Sequence, residues 1–488
     1  MTLVRRAGLV LAGSLLLAGA HVGCGGEPSR PRDVLLITVD TLRADALGCY
    51  GHAAARTPNI DALAAAGARF TQAFTPRGVT LPALTTINTG VSCLSHGVLG
   101  QSEALPAELP TLAQTLGPAG WQCAAFITNI CEVIVALEDH VGRGYQTREC
   151  TRVASQPQWE WDRRATDAAL GWLDAAPADQ PALLWVHYMD PHGTHQPRRE
   201  LIAGPPPLDF MEKQDEILYR HEVDGITPPP ERLDALWQLY DAEIAGVDLE
   251  VGRLLQAWRA RRGTDGVIVF VADHGEELFD HDNFNGHGDS VFDSVLRVPL
   301  IVAAPGAVAP GQVCESVVEL EDIAPTIVQL LGQPPVGTHE GVSLLPAVAP
   351  GGPPPELRGE FENAFGSRFR EVLTIRTKRW RYIWNLKFGE LEKRLIEEHR
   401  YRERFSFFRN EEQLYDLDAD PRELHNLLGG DQVAEAAERA RDGLRTELVR
   451  WLGTRMKSSE AQRSVGNEKL YEELKANGYL EFVPEQYR

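Results

Sequence analysis

Two apolar runs, far apart in the chain, end in the same way, and that repetition narrows what the polypeptide can fold into. The first is Asp33-Val-Leu-Leu-Ile-Thr-Val-Asp40-Thr-Leu-Arg-Ala-Asp45. The second is Gly266-Val-Ile-Val-Phe-Val-Ala-Asp273-His274-Gly-Glu276. Each is a β-branched stretch of strand length that stops abruptly at side chains able to bind a metal. In open α/β sheets, ligands gather beyond the carboxyl ends of strands. Brought side by side, these two ends would offer Asp40, Asp273 and His274 to one cation.

The segments between them support such a sheet. Strands are predicted at Val34–Val39, Cys123–Thr128, Ala182–Tyr188 and Val298–Val302. Helices are predicted at Asn59–Ala66, Arg163–Ala175, Glu231–Ala260 and Leu320–Leu331. Alternation of this kind predicts an α/β fold, a mostly parallel central sheet flanked by helices. At 488 residues the chain exceeds what one core usually serves. The run Ala347-Val-Ala-Pro-Gly-Gly-Pro-Pro-Pro-Glu356 reads as a boundary. Beyond it, Glu371–Arg376 and Trp380–Trp384 alternate like adjacent antiparallel strands, and a helix follows from about Asp431 to Leu452. The expected organisation is a signal peptide at 1–23, a linker at 24–32, a catalytic domain at 33–346, a smaller C-terminal α+β subdomain at 357–455 and a tail at 456–488.

Met1-Thr-Leu-Val-Arg5-Arg6 is a basic start, and the apolar stretch Ala7–Ala20 is too short to span a bilayer stably. Cys24 follows in His-Val-Gly-Cys-Gly-Gly, which resembles a bacterial lipoprotein processing site, although His stands where Leu is usual. Export to the periplasm or cell surface, with a lipid anchor on Cys24, is the expectation. The remaining six cysteines permit disulfides, but their spacing identifies no pairs. The balance of 48 basic against 69 acidic residues argues against a nucleic-acid or anionic-membrane surface. It does not exclude an anionic substrate, because a metal and a few cations can dominate one cleft.

Between the metal strands lies Arg77-Gly-Val-Thr80-Leu-Pro82-Ala-Leu84. Proline is favoured in a first helical turn, so Thr80 falls at or just before a helix N-terminus, where free amides and the helix dipole favour an anion. A threonine hydroxyl is a poor nucleophile until a divalent cation lowers its pKa. The plainer reading, that Thr80 caps the helix, loses weight beside three candidate ligands. The Asp-plus-His donor set fits Ca²⁺, Mn²⁺ or Zn²⁺, and the imidazole tilts away from Mg²⁺. Two further histidine clusters follow strands. His192 is the candidate acid for the leaving group and His287 the candidate contact for the non-bridging oxygens. A rival places a second metal on Asp190, His192 or His195, and His287. Arg43 reads as a structural ion-pair partner, and Glu276 and Glu277 as residues that shape a turn.

These stretches resemble the sulfatase branch of the alkaline phosphatase superfamily. The resemblance rests on Ile37–Gly51, Thr57-Pro-Asn-Ile-Asp61, Ala66–Phe70, Thr89-Gly90, His96-Gly97, Asp190-Pro-His192, Ala272–Glu276 and His287-Gly288 with Arg297–Leu300. It extends to Ile375–Trp380, Leu414–Pro421 and Asn467–Leu480. It implies metal-dependent hydrolysis of sulfuric or phosphoric esters, on a sulfated or phosphorylated small molecule or glycan. Three departures stand against it. Sulfatases of the main type carry Cys (or Ser) in Cys-x-Pro-x-Arg and oxidise that Cys to formylglycine. Here Thr80 replaces the Cys and Leu84 the Arg, so no formylglycine is expected. Thr41 stands where many members place a second Asp, and no Gly-Lys-Trp-His segment is found, with Ala124–Asn129 in its place. A threonine nucleophile resembles instead the phosphodiesterase and phosphoethanolamine-transferase branches. The loss of the usual Cys and Arg also leaves open a non-catalytic glycan-binding protein.

Overall fold

The computed structural model describes residues 33–458, apart from 102, 130–139, 225–226, 282–284, 289, 351–361, 366–371, 386–409 and 431. The leader, Cys24, the linker at 24–32, most of the Pro-rich boundary and the tail beyond 458 lie outside the described residues. Ten strands belong to the larger part: β1 (Val34–Val39), β2 (Ala68–Phe74), β3 (Gln122–Ile127), β4 (Thr147–Cys150), β5 (Ala182–Tyr188), β6 (Val267–Ala272), β7 (Glu277–Leu278), β8 (Asn285–Gly286), β9 (Arg297–Ala303) and β10 (Gln312–Glu319). Eight of them make one sheet in the order β10-β2-β9-β6-β1-β5-β3-β4. The run β6-β1-β5-β3-β4 is parallel throughout. Strand β9 runs antiparallel to both β6 and β2. The sheet is therefore mostly parallel.

The two opening runs are nearest neighbours. Val39 pairs with Ala272, so β1 and β6 end at one level. Every residue of both strands is buried, which matches their lack of a polar face: helices cover the sheet on both sides. Those helices are α1 (Pro58–Ala66), α2 (Thr80–Thr89), α3 (Gln158–Ala175), α4 (Leu208–Asp224), α5 (Pro230–Arg262) and α6 (Ile323–Leu330). Local chemistry sets their ends. Helix α5 starts with Pro230 in its first turn and carries Arg259, Arg261 and Arg262 in its last, where cations offset the exposed carbonyls. Helix α1 starts at Pro58. Its free Asn59 and Ile60 amides donate to the Asp248 carboxylate of α5 at 3.0 and 2.9 Å.

A second, antiparallel sheet follows: β11 (Glu362–Phe365), β12 (Val372–Arg376), β13 (Trp380–Asn385) and β14 (Glu412–Asp416), in that order. Helix α7 (Glu435–Ser458) packs on it. Leu444, Leu448 and Leu452 share one apolar cluster with Leu373, Ile375, Tyr382, Trp384 and Leu414. That cluster also takes in Cys93, Leu94 and Leu99 of the first part. Arg376 and Arg381 reach from the second sheet to Asp293, just before β9. Cys49, Cys93, Cys123 and Cys314 are free thiols, whereas Cys150 is disulfide-bonded.

Candidate metal and nucleophile site

The site is assembled by backbone hydrogen bonds at the strand ends. The Asp40 amide donates to Tyr188 O at 2.9 Å and the Asp273 amide to Val39 O at 3.1 Å, which locks both residues to the neighbouring strand. Thr41, the next residue, has φ 51°, an uncommon conformation for a β-branched side chain. Tyr240 of α5 holds this bend: its hydroxyl donates to Thr41 O at 2.7 Å and accepts the Arg43 amide at 3.0 Å. The turn after His274 requires Gly275. Its amide donates to Val295 O at 2.7 Å, and a Cβ there would lie 2.1 Å from Ser294 O.

Asp40, Asp273 and His274 are wholly buried, and one ligand atom from each lies within 4.8 Å of the others. Asp273 Oδ1 accepts the His274 amide at 2.7 Å and the Thr41 amide at 3.3 Å. Asp40 Oδ2 accepts Asn129 Nδ2–H at 2.7 Å. The other two oxygens, Asp40 Oδ1 and Asp273 Oδ2, have no hydrogen-bond partner. His274 Nδ1–H donates to Gly275 O at 2.9 Å. Its Nε2 lone pair therefore faces Asp40 Oδ1 at 3.7 Å and Asp273 Oδ2 at 3.6 Å. Two buried carboxylate oxygens and one imidazole lone pair, all acceptors aimed at one point, repel one another unless a cation joins them. The donor set thus fits a divalent ion on its own geometry.

The protonation pattern without a cation reflects that tension. Burial pushes the Asp40 carboxyl up, but the nearby histidines, His187 foremost, outweigh it and hold it far below the usual range. Burial and the Asp40 charge push Asp273 well above its usual value. Burial and the His287 charge lower His274 to about 3, so its imidazole is neutral and able to ligate.

Thr80 opens α2 as its first residue, with Val79 in the capping position, so its hydroxyl is not a cap. Thr80 Oγ1 stands 3.5 Å from His274 Nε2. The expected row of free amides at this helix start is reduced. Leu81 N–H donates to Gln101 Oε1 at 3.1 Å, Ala83 N–H goes to Val79 O, and Pro82 has none. Leu84 is buried in the apolar core.

His192 and His287 lie beside this group. Their ring centroids are 5.0 Å apart, and His287 is 4.5 Å from the His274 ring. His192 Nδ1–H donates to Gly193 O at 2.6 Å, which leaves Nε2 as the atom that exchanges a proton. Glu276 Oε1 accepts from His287 Nδ1 at 3.1 Å. Glu276 is therefore more than a turn residue: it fixes the His287 ring. Burial raises the Glu276 carboxyl, but the His287 charge wins and lowers it. Glu277 gathers His281, Ser290 and Ser294 on its carboxylate. His195 is turned to Glu243, 2.6 Å away. Among the described residues, Asp190, His192, His195 and His287 form no second metal group. Arg43 pairs with Asp45 and Asp280, the structural role expected of it. Asn129 and the Glu276–His287 contact escaped the sequence reading, because both are side-chain hydrogen bonds that leave no spacing signal.

The chain is similar to known proteins over most of its length. The family model described as Sulfatase matches residues 32–333, and one described as N-sulphoglucosamine sulphohydrolase, C-terminal, matches residues 286–449. An arylsulfatase of Clostridium perfringens is 24% identical over 482 residues, covering 85% of this chain and 94% of its own. A protein solved in complex with its substrate D-glucosamine-2-N,6-O-disulfate superposes with TM-score 0.69 and 18% identity, over 90% of this chain and 100% of that one. The phosphonate monoester hydrolase of Agrobacterium radiobacter superposes with TM-score 0.65 and 22% identity, over 86% of this chain and 95% of that one.

Proposed function

Because the chain belongs to the sulfatase family, we propose that it is a metal-dependent hydrolase of sulfuric or phosphoric esters with Thr80 as its nucleophile. The observation that carries the reading is the placement of Thr80 Oγ1, 3.5 Å from the ligating nitrogen of His274, beside two carboxylate oxygens without partners. A divalent cation held by Asp40, Asp273 and His274 would act as a Lewis acid and lower the pKa of the threonine hydroxyl. Thr80 Oγ1 then attacks the sulfur or phosphorus centre in line with the departing alcohol. His192 Nε2 gives the leaving oxygen its proton. His287, oriented by Glu276, binds a non-bridging oxygen as charge moves onto it. Water closes the cycle by attack on the threonine ester.

That last step favours one half of the substrate range. A formylglycine hydrate releases sulfate by collapsing to the aldehyde, whereas a threonine ester has no such route. Direct attack by water suits a phosphoryl or phosphonyl intermediate better. The likeness to a phosphonate monoester hydrolase supports including that class. The likeness to a protein complexed with a sulfated glucosamine supports sulfated sugars.

The test is turnover of paired aryl sulfate, phosphate monoester, phosphodiester and phosphonate monoester substrates, with Thr80→Ala and Asp273→Ala beside the native chain. Both variants should lose turnover of whichever ester is cleaved. Unchanged turnover in Thr80→Ala overturns the nucleophile. No turnover of any ester by a fully metal-loaded chain favours the glycan-binding reading instead.

A further inference from the structure

Behind Asp40 stands a line of buried polar atoms that the reaction does not use. Thr38 of β1 and His187 of β5 are register partners, and Trp185 precedes His187 by two residues, on the same face of its strand. All three are fully buried. Trp185 Nε1–H donates to Thr38 Oγ1 at 2.9 Å, and Thr38 Oγ1 lies 2.9 Å from His187 Nδ1. His187 Nε2, which has no formed hydrogen bond, is 3.7 Å from Asp40 Oδ2. That oxygen is the one already taken by Asn129.

The direction of this chain follows from its first member. An indole N–H can only donate, so Thr38 Oγ1 accepts from it. The hydroxyl hydrogen then goes to His187 Nδ1, the other group at hydrogen-bond distance. The reverse arrangement, Nδ1–H donating to Thr38, would strand a buried hydroxyl hydrogen at about 1–3 kcal/mol. With Nδ1 as acceptor, the neutral imidazole carries its proton on Nε2. That atom faces a carboxylate as a donor and has no lone pair for a metal. At 3.7 Å the contact is electrostatic, longer than a formed hydrogen bond.

We propose that Trp185, Thr38 and His187 form a positioning chain that fixes the Nε2–H tautomer of His187 and, with Asn129, holds Asp40 Oδ2, so that Asp40 meets the cation through Oδ1. The proposal rests on reading the Asp40, Asp273 and His274 group as a cation site. His187 is a positioning residue, which acts on the cation only through Asp40, 3.7 Å away. It explains why one Asp40 oxygen is engaged and the other is without a partner. Outer partners of this kind contribute about 10–100-fold to metal affinity.

The experiment is calorimetric titration of the metal-stripped full chain with Mn²⁺ and Zn²⁺, joined to ¹⁵N-histidine spectra that report each tautomer. Native protein should show His187 protonated on Nε2. His187→Leu should bind the cation about 10–100-fold more weakly. His187→Gln, whose amide N–H can stand in for Nε2–H, should recover most of that loss. Thr38→Val should leave His187 as a mixture of tautomers. If His187→Leu does not fold, the tautomer of the native chain and the Thr38→Val spectrum decide the matter. A native Nδ1–H tautomer, or a folded His187→Leu that binds within twofold of native, overturns the positioning chain alone. A native chain that binds no divalent cation overturns this proposal together with the metal reading.

Discussion

Buried carboxylates gather in two regions of this molecule, and the two treat them in opposite ways. At the seam between the sheets, Asp293 receives Arg376, Arg381 and Arg297 on its two oxygens. Burial raises its carboxyl, but those three guanidinium charges outweigh it and hold it far below the usual range. Arg381, itself fully buried, also pairs with Glu423 at 3.0 Å and donates to Val291 O and Thr374 Oγ1. At the strand ends, Asp40 and Asp273 receive amides and one carboxamide but, among the described residues, no arginine or lysine. The seam supplies its countercharge from the chain, whereas on the proposed reading the strand ends take theirs from a cation. Charge burial alone thus does not mark a functional site; the distinguishing feature among the described residues is whether a guanidinium faces the carboxylate.

The sharpest way to break the contrast is to remove the proposed nucleophile and leave both charge clusters intact. Thr80→Ala should cut kcat about a thousandfold or more, with cation binding and melting temperature near native, read by turnover and calorimetry side by side. Next comes the seam. Arg381→Leu leaves Asp293 and Glu423 under-compensated and should destabilise the fold by about 3–5 kcal/mol in denaturant unfolding, while the metal site keeps its affinity. Equal loss of metal affinity would show that the two regions are not separable.

A pH scan sharpens the same comparison. His281, at the seam, lies 2.9 Å from Glu277 through Nδ1 and 2.9 Å from Arg422 O through Nε2, and only an imidazolium donates from both nitrogens. Burial opposes that charge, but Glu277 outweighs it and raises His281 from 6.5 to about 9. A folded-state value above the unfolded one stabilises fully below the unfolded value and is lost as pH rises through the folded one. Stability should therefore fall between pH 6.5 and about 9, and His281→Gln should flatten that slope, a difference on the order of 3 kcal/mol. The smallest effect is on the metal side. Chelation should lower stability by about 2.7 kcal/mol relative to protein held at a hundred times its Kd for the ion. Asp273→Ala should abolish that increment, whereas Arg381→Leu should retain it.

The sheet and the meeting of Asp40, Asp273 and His274 were legible because both rest on local pattern. The short, β-branched apolar runs of β1 and β6 fit buried strands by length and composition, and their abrupt polar ends place Asp40, Asp273 and His274. The mostly parallel sheet with a smaller antiparallel one followed from alternation. Other elements were hidden. Strand β2, Ala-Arg-Phe-Thr-Gln-Ala-Phe, and strand β10, with an exposed Glu315 and a buried Glu319 among its valines, break the alternation of polar and apolar residues, so neither has a strong period. Helix α4 lies in a stretch between prolines that carried no readable chemistry, and its apolar side is set by what it packs against. The roles of Glu276 and Gln101 depend on where a flexible side chain lands across a fold, which no spacing encodes.

Thr41 adopts a left-handed backbone that Asp enters more readily than a β-branched residue. A carboxylate at this position, as the sulfatase resemblance would place there, would thus be conformationally easier than the threonine that occupies it. With Thr41 instead, two carboxylates, a neutral imidazole and a dication sum to zero, whereas a third carboxylate would leave the assembly negative. An electrically neutral cluster repels an approaching ester anion less. It also leaves more of the cation's field unscreened for the one oxygen that must lose its proton. On the proposed reading, the chain would exchange a tighter grip on the ion for a stronger pull on Thr80, the exchange that a hydroxyl as weakly acidic as threonine's would demand.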